Sequence, residues 1–152
     1  GWAGSTFFDG RTVVHDLPPY TPTSSDTVAY AADGNIVNVA PASIPYAWLV
    51  NNLKVTSITF GTGTTTTGDR AFKNNDNLTS VVIPEWITWI ETYCFENCDS
   101  LTRVDIPRLT SLPSTTGNPF YKSYPTIHIP VNHPTTATQL GNRPIVKDLP
   151  AM

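Results

Sequence analysis

Charged residues are scarce in this sequence, and its few basic residues are scattered. Only 14% of the 152 residues are Asp, Glu, Lys or Arg, and the formal net charge is −3. Nucleic acids and anionic lipid surfaces are bound through concentrated basic patches. We therefore expect no nucleic-acid partner. Because no apolar run of about eighteen residues occurs, we also expect no membrane insertion.

Cysteine and histidine are rare as well, which argues against a metal site. The two cysteines are Cys94 and Cys98, and the three histidines stand at positions 15, 128 and 133. Zinc ligands are usually closely spaced in sequence, and these residues show no such spacing. The sequence therefore predicts no metal ion and no cofactor.

Threonine and proline, in contrast, are abundant. The chain contains twenty-three threonines and fourteen prolines. Threonine is β-branched and proline lacks the backbone donor, so this composition favours short strands and turns over long helices. Since 39% of the residues are hydrophobic, we expect a real core in a chain of single-domain size.

A repeat of 23 residues organises the middle of the sequence. The strings VTSITFG, LTSVVIP and LTRVDIP begin at Val55, Leu78 and Leu101, so their starts lie 23 residues apart. A degenerate fourth block follows, in which Phe120 falls two residues late. The columns that share this interval are Ile58, Val81, Val104 and Ile127; Phe60, Ile83, Ile106 and Ile129; Leu49, Phe72 and Phe95; Asn51, Asn74 and Asn97; and Asn52, Asn75 and Cys98.

Each block is typical of one turn of a coil. LTSVVIP alternates apolar and polar residues, which predicts a strand with one buried face, and its proline ends the strand. One such turn buries too few apolar side chains to be stable alone, so successive turns must stack. We therefore expect Ile58, Val81, Val104 and Ile127 to form a ladder of neighbouring strands.

The segment GDRAFKNNDNLTSVVIPEWITWIETYCFENCDSLTRVDIP resembles the BspA-like leucine-rich repeats, with a match over about residues 47–131. The resemblance implies a β-rich leucine-rich-repeat solenoid. Such a solenoid has a short parallel β-sheet of about four to five strands, with turns or short helical segments on the other face. It also implies that Ala71, Phe72, Cys94 and Phe95 lie in the core.

Three segments are expected along the chain. Residues 1–34 read as an N-terminal arm with a linker rich in Pro, Thr and Ser, because X-Pro steps favour extended backbone. Residues 35–131 form the solenoid, and residues 132–152 form a C-terminal cap. Such caps protect the edges of terminal strands.

The second turn of the solenoid departs from the pattern. Thr64 and Thr67 stand where the next turn has isoleucines, which predicts looser packing there or a lid. The N-terminal arm contains the apolar Phe7 and Phe8, and it could supply that lid.

Outward positions of the strands form a candidate interaction surface. Thr59, Val82, Asp105 and His128 fall in one column, with Arg103 in the column beside it. Asp105 and His128 resemble a general acid–base couple on neighbouring strands. Because no nucleophile accompanies them, we expect no catalytic residue and no enzyme.

Two tryptophans are also candidate interaction residues. The repeat assigns Ile87 and Ile90 to the core, which leaves Trp86 and Trp89 at outward or edge positions. They could bind a protein partner, stack on a sugar, or be covered by the N-terminal arm.

Two modifications are possible. Cys94 and Cys98 are either buried free thiols or a local disulfide, and their spacing does not decide between the two. Asn77-Leu78-Thr79 matches the N-glycosylation pattern, although the repeat already demands Leu-Thr-Ser.

Two functions remain open. The resemblance favours a non-enzymatic protein-interaction or adhesion module, extracellular or at the cell surface, with a protein or glycan partner. The alternative is a structural subunit that self-assembles into an extracellular filament, sheath or phage-type particle, through its N-terminal arm and the ends of the solenoid.

Overall fold

The structure is a computed structural model that describes residues 20–152 and the backbone of two short strands, β1 (Phe7–Phe8) and β2 (Arg11–Thr12). These two strands pair with each other in antiparallel orientation. The expected lid built from the side chains of Phe7 and Phe8 lies outside the described residues.

Between residues 20 and 152 the chain forms strands and turns and contains no helix. This agrees with the composition, which favours short strands and turns. The strands are β3 (Thr27–Tyr30), β4 (Ile36–Ala40), β5 (Ser57–Thr59), β6 (Ser80–Val82), β7 (Trp89–Ile90), β8 (Arg103–Asp105), β9 (Ser114–Thr115), β10 (Thr126–Pro130), β11 (Gln139–Leu140) and β12 (Arg143–Leu149).

The main sheet confirms the predicted solenoid. Strands β6, β8, β10 and β12 lie side by side in parallel, and β11 adds to the outer edge of β12 in antiparallel orientation. Val81 faces Val104, and Val104 faces Ile127, so the repeat interval sets the strand register. The ladder continues from Ile127 to Ile145, a residue outside the repeat columns.

The first block does not join this ladder, and the expectation for Ile58 is wrong in this respect. Ile58 is buried in the common core, but it pairs with Ala29 of the antiparallel strand β3. Strand β3 also pairs with β4, which gives a separate sheet in the order β4-β3-β5. The reason lies in the preceding chain: the backbone of Asp26 runs directly against Gly61, and the amide of Gly61 donates to Thr27 Oγ1.

Strand pairing crosses both segment boundaries expected from the sequence. Strand β3 lies within residues 1–34, yet it pairs with β4 on the other side of that boundary. Strand β12 lies within residues 132–152, yet it pairs in parallel with β10. The ends of the solenoid are therefore closed by strands that belong to its sheets.

A stack of phenylalanine rings fills the centre of the coil. Phe72, Phe95 and Phe120 are fully buried, with ring centroids 5.4 and 5.7 Å apart and the rings nearly parallel. The two additional residues before Phe120 are absorbed without breaking the stack. Ala71 and Cys94 are also fully buried, in agreement with the core that the resemblance implies.

The second turn is packed, so the expected looseness at Thr64 and Thr67 is wrong. Both side chains are buried. Thr64 Oγ1 donates to the carbonyl of Thr66 (2.8 Å), and Thr67 Oγ1 accepts from the amide of Glu91 (3.1 Å). Threonine can occupy these isoleucine positions because each hydroxyl finds a backbone partner there.

Candidate interaction surfaces

The outward face of the main sheet is the first candidate surface. Buried and outward side chains alternate along β6, β8 and β10, as one-sided burial of a strand requires. Val82 is 50% exposed, whereas Arg103, Asp105 and His128 are half-buried. Thr59 is exposed on the neighbouring strand β5.

Asp105 and His128 are neighbours in the ladder, but each side chain has another partner. They face each other in the pairing of β8 with β10. His128 Nδ1 lies 2.7 Å from Asp148 Oδ1, and Asp105 Oδ1 lies 2.7 Å from Arg103 Nε on the same strand. The face therefore presents two ion pairs beside Val82. Asp148 could not be assigned from the repeat, because β12 lies outside the repeat columns.

Trp86 and Trp89 lie on the surface of a second side of the coil. Each is 39% exposed. Trp89 belongs to β7, which pairs in parallel with β9, and its indole Nε1 donates to Thr116 Oγ1 (3.1 Å). This bond fixes the Trp89 ring on a side formed mainly by threonine and serine.

The third side of the coil consists of turns in which two residues per turn adopt positive φ. Asn51, Asn74 and Asn97 have φ of 62°, 59° and 53°. Asparagine is one of the few residues that adopt this conformation readily. Their side chains form a ladder, since Asn74 Nδ2 donates to Asn51 Oδ1 (2.6 Å) and Asn97 Nδ2 donates to Asn74 Oδ1 (2.9 Å).

A second column carries hydrogen bonds through the interior. Asn75 Nδ2, Cys98 Sγ and Ser123 Oγ each donate to a main-chain carbonyl of the preceding turn, those of Leu49, Phe72 and Phe95. Three different residue types thus make the same contact at one repeat position. Arg143 Nη2 donates in the same way to the carbonyl of Phe120 (2.8 Å).

Asn52 stands at the first turn of this column and acts locally. Its Oδ1 accepts from the amide of Lys54 (2.9 Å), which satisfies a turn amide in the way expected from the sequence. Asn75, for which the same role was expected, instead bonds the turn before it.

Cys94 and Cys98 are free thiols in the structure, and both are buried. Cys94 Sγ donates to the carbonyl of Thr67 (3.5 Å), and Cys98 Sγ donates to the carbonyl of Phe72 (3.1 Å). Burial raises the pKa of the Cys94 thiol, and it raises the pKa of Cys98 to about 12. Both side chains act as small core residues with weak donors.

A row of tyrosine rings and basic side chains also lies on the turn side. The guanidinium of Arg70 lies 5.6 Å from the centroid of the Tyr46 ring and 4.9 Å from that of Tyr93. Tyr93 in turn lies 5.7 Å from Tyr121. Sequence analysis missed this row because its members occupy different repeat columns, so alignment at 23 residues does not bring them together.

Asn77, the possible glycosylation site, is exposed in a turn. Its Nδ2 donates to the carbonyl of Leu53. Both residues border an open hollow of about 1210 Å³ between the β3–β4 hairpin and the first turn, which is also lined by Ile36 and Lys54.

Metal and membrane features were examined in the described part of the chain. Within it, no three His, Cys, Asp or Glu side chains gather into a group that could hold a metal ion. Among the same residues, none belongs to a helix of the length and hydropathy needed to cross a bilayer.

Comparison with known proteins gives one finding. The family model of the BspA type leucine-rich repeat region matches residues 42–143 in six copies. Comparison with curated proteins and with solved structures gave no significant match. The match extends beyond both ends of the repeat recognised in the sequence, as far as Arg143, the residue that continues the interior hydrogen-bond column. The chain therefore belongs to the BspA type leucine-rich repeat family.

Proposed function

We propose that this chain is a non-catalytic protein-interaction module that acts in adhesion, outside the cell or at the cell surface. The observation that carries the proposal is the main sheet, whose parallel register aligns Val82, Asp105 and His128 on one outward face. Leucine-rich repeats of this type generally mediate contacts between proteins and are typically found in surface proteins. Fold alone does not assign function, so the proposal depends on this face.

The chemistry of the face suits a protein partner. Val82 offers an exposed apolar contact, and the Arg103–Asp105 pair offers charge of both signs beside it. The backbone beneath is fixed by hydrogen bonds to the strands on either side, so little ordering is needed on binding. A rigid surface of mixed polarity is typical of non-obligate protein interfaces.

Glycan binding belongs to the same proposal as a second class of ligand. It is supported by the partly exposed rings of Trp86 and Trp89 on the second side of the coil. Flat indole faces can stack on sugars. The sheet face and this tryptophan side can be tested separately because they involve different residues.

Self-assembly is a second candidate function, and the outer edge of β12 supports it. Strand β11 pairs only with Arg143 and Pro144, and no strand in the described part of the chain pairs with the outer edge of Val146–Leu149. An uncovered edge of this kind can accept a strand from another molecule.

Selection of binding peptides tests the main proposal. A phage-displayed random peptide library is selected on the immobilised chain, and the affinities of the selected peptides are measured for the native chain and for Val82→Glu. A matched control is Val131→Glu, because Val131 is exposed to a similar degree, 52%, in the turn after β10. We expect Val82→Glu to weaken binding about tenfold, and Val131→Glu to leave it within about twofold.

The other outcomes are also decisive. Equal effects of the two variants would refute the sheet face as the binding surface. Binding on a glycan array that Trp86→Ala and Trp89→Ala abolish would support glycan binding instead. Open polymers in light scattering that Val146→Lys dissolves would support self-assembly, because a charge on an edge strand blocks further pairing.

A further inference from the structure

The turn side of the solenoid carries a continuous row of tyrosine rings, each with a basic group over one face. Arg70 covers Tyr46 and Tyr93, Lys122 lies 5.4 Å from the centroid of Tyr121, and Arg143 lies 4.6 Å from that of Tyr124. We call this the tyrosine row, and it consists of Tyr46, Arg70, Tyr93, Tyr121, Lys122, Tyr124 and Arg143. It contains four of the six tyrosines of the chain.

The row is open to solvent where it could receive a partner. Tyr46 is 67% exposed, Tyr124 is 76% exposed and Tyr121 is 40% exposed. Tyrosine and arginine are the residues, together with tryptophan, that most often dominate binding energy at protein interfaces. Rings held by cation–π contacts lose little conformational freedom when a partner binds.

Charge along the row is uneven, and this indicates the kind of partner. Arg70 forms an ion pair with Asp69 (2.6 Å). Lys122 and Arg143, at the other end, have no acidic side chain within ion-pair distance among the described residues. A chain of net charge −3 thus concentrates uncompensated positive charge at one end of an aromatic row.

We propose that the tyrosine row is a second interaction surface, which binds an extended acidic segment of a partner protein. The segment's carboxylates would contact Lys122 and Arg143, and its backbone and apolar atoms would lie against the tyrosine rings. This surface is distinct from the sheet face, so the proposal goes beyond the function proposed above and does not depend on it.

The geometry favours an acidic peptide over a stacked sugar. Each ring of the row already has a basic group over one face, so that face cannot receive a sugar ring. A guanidinium lying flat on a ring keeps its N–H groups directed outward in its own plane, which is the arrangement that binds carboxylates.

Fluorescence anisotropy with a labelled synthetic peptide of alternating Glu and Ser tests the proposal. The same peptide with Lys in place of Glu controls for charge sign, and a heparin oligosaccharide is the competing polyanion. The chain variants are Lys122→Ala, Tyr124→Ala and Tyr124→Phe. Lys54→Ala is the matched control, because it removes the same charge from the exposed hollow beside the first turn.

We expect the acidic peptide to bind the native chain and the basic peptide not to bind. Lys122→Ala and Tyr124→Ala should each weaken binding about fivefold or more. Tyr124→Phe, which keeps the ring under Arg143, and Lys54→Ala should stay within about twofold. Because Tyr124 and Lys122 are exposed, circular dichroism of all variants should match that of the native chain.

Three results would overturn the proposal. The acidic peptide could fail to bind at millimolar concentration. Lys54→Ala could weaken binding as much as Lys122→Ala does, which would reveal a diffuse charge effect. Finally, heparin could bind in a Lys122-dependent way while the peptide does not, which would assign the row to a sulfated glycan.

Discussion

The sharpest consequence of the interior hydrogen-bond column concerns Asn75. This side chain is fully buried, and its Nδ2 donates to the carbonyls of Leu49 (2.7 Å) and Asn52 (3.3 Å) in the preceding turn. Asn75→Ala removes both bonds and leaves a small void between two turns. We expect the first two turns to lose part of their connection.

The size of the effect follows from these contacts. A buried hydrogen bond contributes about 0.5 to 1.5 kcal/mol net, and an abandoned buried acceptor costs about 1 to 3 kcal/mol. Two facts reduce the loss: the carbonyl of Leu49 also accepts from the amide of Asn52, and Asn75 Oδ1 is buried without a partner. We therefore expect Asn75→Ala to lower the free energy of unfolding by about 2 kcal/mol.

Urea unfolding followed by tryptophan fluorescence measures this loss. Asn52→Ala is the matched control, since Asn52 has the same position in the first turn and bonds only within its own turn. We expect this control to cost less than about 1 kcal/mol. A loss below about 0.5 kcal/mol for Asn75→Ala, or equal losses for the two variants, would refute the reasoning.

Three further predictions concern the thiols, the turn residues and the first-turn lid. Burial raises the pKa values of Cys94 and Cys98, so the native chain should react with a thiol reagent only after unfolding. The thiol contribution to stability should be complete below about pH 8.5 and decline as the pH rises towards 12; rapid native labelling would contradict this. Asn74→Ala should cost about 1 to 2 kcal/mol because of its positive φ, and Asn74→Gly clearly less, in thermal unfolding; the opposite order would be evidence against the turn geometry. Gly61→Ala places a Cβ 2.2 Å from the backbone of Asp26, so it should cost about 3 kcal/mol in urea unfolding, and no loss would mean that residues 24–28 do not lie against this turn.

The parts of the fold that repeat could be predicted from the sequence. Burial of one residue in two, strand-ending prolines and the 23-residue interval together predict which side chains meet, as Val81 and Val104 do. These are local signals copied several times, so each copy supports the others. The buried phenylalanine column follows from the same interval.

The ends of the solenoid could not be predicted in the same way. Ile58 carries the repeat signal, but its strand pairing is decided by β3, whose sequence has no repeat column. Strand β12 likewise lies outside the columns, and Asp148 reaches His128 only because β12 adds to β10. These pairings depend on contacts between distant segments, and a single sequence gives little sign of them.

The candidate surfaces show the same division. Outward positions on the central strands follow from alternation along each strand, so Val82 and Arg103 were found from the sequence. The tyrosine row depends on how turns of slightly different length bring rings together, as the two additional residues before Tyr121 show. Periodicity cannot indicate such a contact.

The stacking of turns is the central claim, and couplings across hydrogen bonds in NMR test it most directly. In the structure the amide of Ile83 donates to the carbonyl of Asp105, and the amide of Ile106 donates to the carbonyl of His128, both at 2.8 Å. We expect a nitrogen-to-carbonyl coupling for each of these two pairs, together with slow exchange of both amide protons. Couplings that join these amides to other residues, or exchange within minutes, would show that the chain does not wind into stacked turns.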